Sequence, residues 1–110
     1  MSALMSRASD EFRLQLPLES ASWACREAIV DMGWEVESIE PGRLVMRRSW
    51  WGFSRDPSTI QVRLSEAGSG ATTITVDGRI RWWGKRQLEG ELNRFRNAAE
   101  VAAYRSHDGR

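Results

Sequence analysis

Two short segments of the sequence combine tryptophan with arginine or lysine, and these residue types are well suited to molecular recognition. Residues 47–55 read RRSWWGFSR and residues 79–86 read RIRWWGKR, so each has a Trp-Trp-Gly step among cations and lacks a carboxylate. Together they hold four of the six tryptophans in a chain of 110 residues. Tryptophan offers a large apolar face with one N–H donor, and that face attracts a neighbouring cation. The combination predicts either a binding surface or the rim of a hydrophobic core.

The elements that must position these segments follow from hydrophobic periodicity. Five segments alternate apolar with polar residues as β-strands do: 11–16, 34–37, 44–51, 59–65 and 72–76. Residues 18–32 and 85–104 carry apolar residues at helical spacing and predict two amphipathic helices. The predicted order is β-α-β-β-β-β-α. It indicates an α+β fold in which a five-stranded antiparallel sheet carries both helices on one face.

This element order resembles the helix-grip architecture of START-like proteins, and also one repeat of the TATA-binding-protein fold. The resemblance covers most of the chain but rests on the order of the elements, so it implies a fold and assigns no functional residue. One globular domain is expected over residues 10–104, because a chain of this length can fill one core. Residues 1–9 and 105–110 are expected to form a flexible arm and a flexible tail.

The dipeptide Asp77-Gly78 decides whether the two tryptophan segments can meet. An Asp-Gly pair between alternating segments is typical of a tight hairpin, whereas a glycine within one strand often marks a bulge. We expect one long bulged strand that continues to Trp82, because the residues after Gly78 would make a very short separate arm. A hairpin here would send the two tryptophan pairs to opposite ends of the sheet.

Strand alternation divides each tryptophan pair between the two faces of the sheet. The third and fifth strands both flank the fourth, so they run in the same direction and end about 10 Å apart at one edge. Alternation places Trp50 beneath the helices, and Trp82 as well if a bulge at Gly78 preserves parity, with the next residue of each pair on the open face. A bulge that changes parity would exchange Trp82 with Trp83. The predicted partner-binding surface consists of two tryptophans and three arginines: Trp51, Trp83, Arg47, Arg79 and Arg81.

A protein partner or a second copy of the chain is the predicted ligand of this surface, because tryptophan and arginine are enriched at interface hot spots. Trp23 and Val30 lie opposite the apolar face of the first predicted helix, and we expect them to form a second contact or a dimer surface. Single-stranded nucleic acid is a third interpretation. It is disfavoured because the net charge is only +1 and the sequence has no nucleic-acid-binding motif.

The space between the sheet and the helices is the alternative site. If this space is open, the protein would be a carrier of a small apolar ligand, since pockets for such ligands occupy roughly 300–1,000 Å³. Close packing of large side chains in a small domain favours a filled core instead. The residues expected to line this space are Trp34, Met46, Trp50, Leu64, Phe95 and Cys25.

Recognisable catalytic and metal-binding patterns are missing from the sequence. His107 is the single histidine and falls in the expected tail, and Cys25, the single cysteine, lies on the apolar face of a helix. The sequence has no phosphate-binding glycine loop, nucleophile elbow or Cys/His metal spacing. We therefore expect a non-catalytic protein without cofactor or metal. With no export signal or membrane span apparent, a cytoplasmic location is expected.

Overall fold

The computed structural model of the chain describes residues 5–40, 42–48, 59–68, 70–81 and 84–109. Its strands are β1 (Met5–Leu14), β2 (Trp34–Glu40), β3 (Arg43–Arg48), β4 (Thr59–Glu66) and β5 (Thr72–Arg81). Helix α1 (Leu18–Asp31) follows β1, and helix α2 (Lys85–Gly109) follows β5. The order matches the one that periodicity predicts. Neither helix is long and apolar enough to cross a membrane.

All five strands form one antiparallel sheet in the order β1-β5-β4-β3-β2. The strands β1 and β2 lie at opposite edges, so α1, which connects them, has to cross the width of the sheet. Helix α2 packs against β1 and β5, while α1 packs against β2 and β4, and the two helices also pack against each other. The predicted α+β fold is confirmed.

Strand β5 runs without interruption through Asp77 and Gly78. Each of its residues pairs in step with β1, and β4 pairs in step with it on the other side. The prediction of one long strand is confirmed, but the expected bulge at Gly78 is wrong, because neither ladder shifts there. The register shift in the described sheet lies in β2 instead, between Val36 and Ser38.

The close approach of α2 explains why position 78 is a glycine. A Cβ atom at Gly78 would lie 3.0 Å from Cδ1 of Leu88, and 3.5 Å from Cγ1 of Ile60 and Cδ2 of Leu92. Gly78 is not among the glycines of positive φ, so its backbone conformation is open to other residues. What the position lacks is room for a side chain. The glycine lets α2 lie directly on β5.

The core lies between the helices and the inward face of the sheet. Its strand residues alternate as the sequence predicts, with Ile60, Val62 and Leu64 from β4 and Ile74, Val76 and Ile80 from β5. Helix α1 buries mostly small residues, namely Ala21, Ala24, Cys25 and Ala28, which allow it to approach closely. The hydroxyl of the buried Thr72 donates to the carbonyl oxygen of Leu16 at 2.8 Å, and this bond ties the start of β5 to the segment before α1.

Both ends of the fold extend further than periodicity predicts. Strand β1 begins at Met5, paired with Arg81, and α2 continues to Gly109. The expected arm over residues 1–9 therefore overlaps the edge strand, and the expected tail over residues 105–110 overlaps the helix. Residues 6–11 read SRASDE and carry no apolar alternation. Backbone pairing with β5 forms the strand here, because strand formation depends more on its neighbours than on intrinsic propensity.

The substitution Gly78→Val tests the close contact between β5 and α2. The added methyl groups have to enter space held by Leu88, so we expect the free energy of unfolding to fall by about 1–3 kcal/mol, as in other overpacked cores. Urea unfolding followed by circular dichroism measures this change. Leu88→Ala in the same chain makes room for the valine side chain. The double variant should therefore lose less free energy of unfolding than the two single variants lose together. Additive losses would contradict a direct contact.

Candidate functional site

Both tryptophan segments adjoin the same end of the sheet. Strand β3 ends at Arg48 and β5 ends at Arg81, and both run antiparallel to β4, which lies between them and begins at Thr59. The predicted common direction of these two strands is therefore confirmed. Helix α2 begins at Lys85, a short distance along the chain from the end of β5. The described backbone positions of Arg47, Arg79 and Arg81 therefore belong to this end of the sheet.

The structure describes only part of the predicted partner-binding surface. Four tryptophans lie outside the described residues: Trp50, Trp51, Trp82 and Trp83. Arg47 and Arg81 occupy strand positions close to the ends of β3 and β5. Arg79 is exposed, as expected for a residue of the outward face of β5. Binding of a partner at this surface remains a prediction.

The described residues predicted to line an internal space belong to the hydrophobic core. Met46, Phe95 and Cys25 are fully buried, and Trp34 and Leu64 are nearly so. All five belong to one cluster of buried side chains. Side chains packed in this way can form the inner wall of a ligand site, but they do not form its mouth.

Trp34 connects the β2 edge of the sheet to the middle of α2. Its indole Nε1–H donates to Oε2 of Glu91 at 2.8 Å. Nη1 of Arg94 donates to the two oxygens of the same carboxylate at 2.9 and 3.1 Å. A hydrogen bond to a charged acceptor is stronger than one between neutral groups. The indole therefore holds α2 at Glu91, and Arg94 orients the carboxylate that it uses.

Strand β1 holds α2 from the opposite edge of the sheet. The rings of Phe12 and Phe95 pack edge to face with their centroids 6.2 Å apart. The guanidinium of Arg96 lies 5.5 Å from the centroid of the Phe12 ring, and its Nη1 lies 3.6 Å from Oδ1 of Asp10. These contacts, like the Trp34 bond, fall in residues 91–96. The helix is thus fixed at its middle from both edges.

A cleft of about 570 Å³ lies where α2 begins. Eight of the residues that the structure describes line it: Arg7, Ala8 and Ser9 of β1, Asp77, Gly78 and Arg79 of β5, and Lys85 and Glu89 of α2. Its volume falls within the range of roughly 300–1,000 Å³ that small-molecule sites occupy. Ala8 and Gly78 are partners across the β1–β5 ladder, so two adjacent strand positions contribute almost no bulk.

Sequence reasoning named Arg79 as part of the partner-binding surface on the open face of the sheet, and it missed this cleft and the contribution of β1 to it. Arg7, Ala8 and Ser9 fell within the expected arm. Alternation traced backwards from Phe12 meets a charged residue, Asp10, at the next inward position, and the strand pattern stops there. The structure shows why a charge is tolerated, since Arg96 pairs with Asp10 from α2. One signal for a longer strand was present in the sequence. Arg7 and Ser9 continue the alternation of the polar residues Glu11 and Arg13, so they belong to the same polar face of the strand.

Large apolar side chains are exposed on the outer sides of both helices. Trp23 is 38% exposed and Val30 is 65% exposed, in agreement with the helical pattern of α1. Val101 and Tyr104 of α2 are also exposed. The use of Trp23 and Val30 as a second contact or a dimer surface remains a prediction.

Cys25 has the environment of a core residue. It is fully buried in α1, and burial raises the pKa of its thiol to about 12. Because the thiolate is the nucleophilic and metal-binding form, this thiol is unreactive near neutral pH. Among the residues that the structure describes, no group of three or more His, Cys, Asp or Glu side chains is arranged to hold a metal ion.

Comparisons with known proteins identify the fold. No protein-family model and no curated protein matches the chain. The solved structure of CalU16 from Micromonospora echinospora matches with a TM-score of 0.57 at 16% identity, over 96% of this chain and 82% of that one. Zhui aromatase/cyclase from a Streptomyces species matches with 0.56 at 13% identity, over 96% and 97%. Ara h 8.0201 matches with 0.50 at 12% identity, over 91% and 98%.

At these identities the similarity shows the fold alone, and that fold is the α+β helix-grip arrangement. The prediction of a non-catalytic protein is wrong as it was argued, because Zhui, an aromatase/cyclase, has the same fold. Missing motifs therefore do not separate an enzyme from a binding protein on this architecture, where function depends on the site that a given chain builds.

The reactivity of Cys25 tests how tightly α1 is packed. At pH 9 a thiol with a pKa of about 12 has roughly 500-fold less thiolate than one that titrates at its ordinary value of 9.0. We expect Ellman's reagent to leave the native protein unlabelled and to label it fully in concentrated guanidinium chloride. An exposed cysteine placed on the same helix, Glu27→Cys in a Cys25→Ala background, provides the reactive control. Equal labelling rates in the two native proteins would contradict the packed interior.

Proposed function

We propose that the protein is a carrier of a small, largely apolar ligand, held between the sheet and the first turns of α2. The observation that carries the proposal is the cleft of about 570 Å³ at this position. Its volume suits a small molecule. The fold shared with an aromatase/cyclase supports a small-molecule site on this architecture.

The inner side of the cleft is apolar. Ala8 and Gly78 line it, and the side chains of Leu88, Ile60 and Leu92 are buried behind Gly78. A ligand seated against Ala8 and Gly78 removes apolar surface from water, which contributes about 25 cal/mol per Å² buried. The other described lining residues are polar or charged, so the site combines apolar and polar groups, as small-molecule sites commonly do.

The first turns of α2 are less firmly attached than its middle. The polar side-chain contacts from α2 to the sheet, within the part of the chain that the structure describes, come from Glu91 and Arg96. Residues 85–90 approach the sheet through Leu88, whose contact at Gly78 is apolar and non-directional. A small movement of these turns would admit a ligand without breaking a described hydrogen bond. This arrangement favours ligand uptake at the beginning of the helix.

Binding of phenylnaphthylamine, a neutral fluorescent probe, tests the proposal. We expect saturable fluorescence enhancement with one site per chain. The dissociation constant should lie in the micromolar range, which corresponds to a binding free energy of about −8 kcal/mol, as for small apolar ligands in preformed pockets. Native mass spectrometry of the freshly purified protein provides an independent measurement, because a carrier retains part of its natural ligand as added mass.

A pair of cysteine conjugates locates the binding site. Glu89 lines the cleft and Gln87 does not, and both are exposed on the first turns of α2. In Glu89→Cys, a polyethylene-glycol maleimide should block the cleft and abolish probe binding, while the same conjugate of Gln87→Cys should bind normally. Labelling is selective because Cys25 is buried. Absence of saturable binding, or equal binding by the two conjugates, would overturn the proposal.

A further inference from the structure

We infer that the protein forms a symmetric dimer in which strand β1 pairs antiparallel with β1 of a second copy. This inference concerns assembly and does not depend on the proposed ligand. Strand β1 is an edge of the sheet, and within the part of the chain that the structure describes it pairs with β5 alone. An edge strand keeps a row of backbone N–H and C=O groups with which another strand can pair. With 10 residues, β1 offers a long edge.

The free backbone groups of β1 belong to its odd-numbered residues. The N–H of Glu11 donates to Oδ1 of Asp10 at 2.9 Å, which places this N–H on the free edge and outside the ladder with β5. Backbone groups on one edge of an antiparallel strand recur at every second residue. Side chains of odd-numbered residues also share the open face of the sheet, opposite to Phe12 and the helices. In a symmetric pair of β1 strands, odd-numbered residues must therefore face odd-numbered residues.

Arg7 lacks a carboxylate partner within its own chain. Its neighbour across the β1–β5 ladder is Arg79, and like charges at such positions repel. Arg7 and Glu11 are both exposed, and neither forms an ion pair with another described residue. Glu11 of the partner subunit would supply the missing carboxylate.

Charge selects one register of the two β1 strands. When Ser9 faces the partner's Ser9, Arg7 faces the partner's Glu11, and the two-fold axis repeats this ion pair. A shift of two residues in one direction places Arg7 opposite the partner's Arg13, and a shift in the other direction places it opposite the partner's Ser9. A register that joins Glu11 to the partner's Arg13 overlaps only the second half of β1. The register centred on Ser9 overlaps residues 5–13.

Helix α2 carries a second complementary pattern on the same side of the molecule. At 100° per residue, four charged residues fall within an arc of about 60°: Lys85, Glu89, Arg96 and Glu100. This stripe faces the β1 edge, because Arg96 lies beside Asp10 of β1 and the first two residues line the cleft next to β1. Its signs alternate, so it matches an antiparallel copy of itself. Lys85 then faces the partner's Glu100, and Glu89 faces the partner's Arg96.

The two patterns share one axis. The charge pairs of β1 are centred on Ser9, and those of α2 are centred on the turn between Leu88 and Phe95. Leu88 reaches Gly78, the ladder partner of Ala8, while Phe95 packs on Phe12, so this turn lies beside the middle of β1. Two helices that each lie over a β1–β5 pair would be about 10 Å apart, the usual distance between packed helices. A single two-fold axis at Ser9 therefore satisfies both the strand and the helix.

Charge reversal at the facing positions tests the dimer and its register. Arg7→Glu and Glu11→Arg each place like charges opposite one another in a dimer of that variant, so the dissociation constant should rise at least about 10-fold. In an equimolar mixture every altered charge faces its opposite, and a mixed dimer should form with about the wild-type affinity. The double variant Arg7→Glu/Glu11→Arg should dimerise by itself, which controls for folding. Size-exclusion chromatography with light scattering measures the mass, and native mass spectrometry identifies the mixed dimer.

Cysteine cross-linking locates the two-fold axis. In a Cys25→Ala background, Ser9→Cys would bring two thiols to strand positions about 5.5 Å apart at Cα, which a disulfide can span. Arg13→Cys is the matched control, exposed on the same strand and face, and its two copies would lie roughly 27 Å apart. We expect oxidation to convert Ser9→Cys into a covalent dimer and to leave Arg13→Cys unlinked.

The outcomes separate this inference from the proposed function. A wild-type protein that stays monomeric at high micromolar concentration would overturn the dimer. A dimer that survives both charge reversals, or equal cross-linking at positions 9 and 13, would also overturn it, because the contact would lie elsewhere. The dimer would cover one side of the cleft, but both measurements are made without ligand. Failure of the dimer leaves the carrier standing, and failure of probe binding leaves the dimer standing.

Discussion

Helix α2 can lie against the sheet as it does because β5 has a glycine at position 78, where a Cβ atom would meet Leu88 at 3.0 Å. The contact depends on the register of three strands, since Gly78 pairs with Ala8 on one side and Ile60 on the other. Leu88 fills the space that the glycine leaves under the first turns of the helix. The position of α2 and the packing of the core beneath it depend on this absence of bulk.

The attachment of α2 to the sheet differs along its length. The middle of the helix stabilises the fold, and its first turns adjoin the proposed ligand site. Trp34 and Phe12 hold residues 91–96 from the two edges of the sheet by a hydrogen bond and an aromatic contact. The first turns rest on an apolar contact and adjoin the cleft. A long helix fixed at its middle can keep the core closed while one end adjusts to a ligand. Binding sites commonly use such less stable parts of a fold.

The shared fold leaves the chemistry of any site to individual residues. A structure similar to this one belongs to an aromatase/cyclase, so the architecture is compatible with catalysis as well as with binding. In this chain the cleft lies between the first turns of α2 and strands β1 and β5. Its position directs attention to β1, which the tryptophan-rich segments do not include.

The order of the elements and the inward faces of β4, β5 and α2 could be predicted from the sequence, because periods of 2 and 3.6 residues are local properties. The continuation of β5 as one strand through Gly78 could also be predicted from the sequence. The reason why position 78 is a glycine could not, because it depends on the contact with α2. Tertiary structure alone decided the start of β1 at Met5, the facing pair Arg7 and Arg79, and the bond between Trp34 and Glu91, 57 residues apart. Local periodicity shows which side of an element is apolar, but strand register and helix placement determine which distant side chains meet. The candidate site is formed by residues that are distant in the sequence and adjacent in the fold, so it can be recognised only from the tertiary structure.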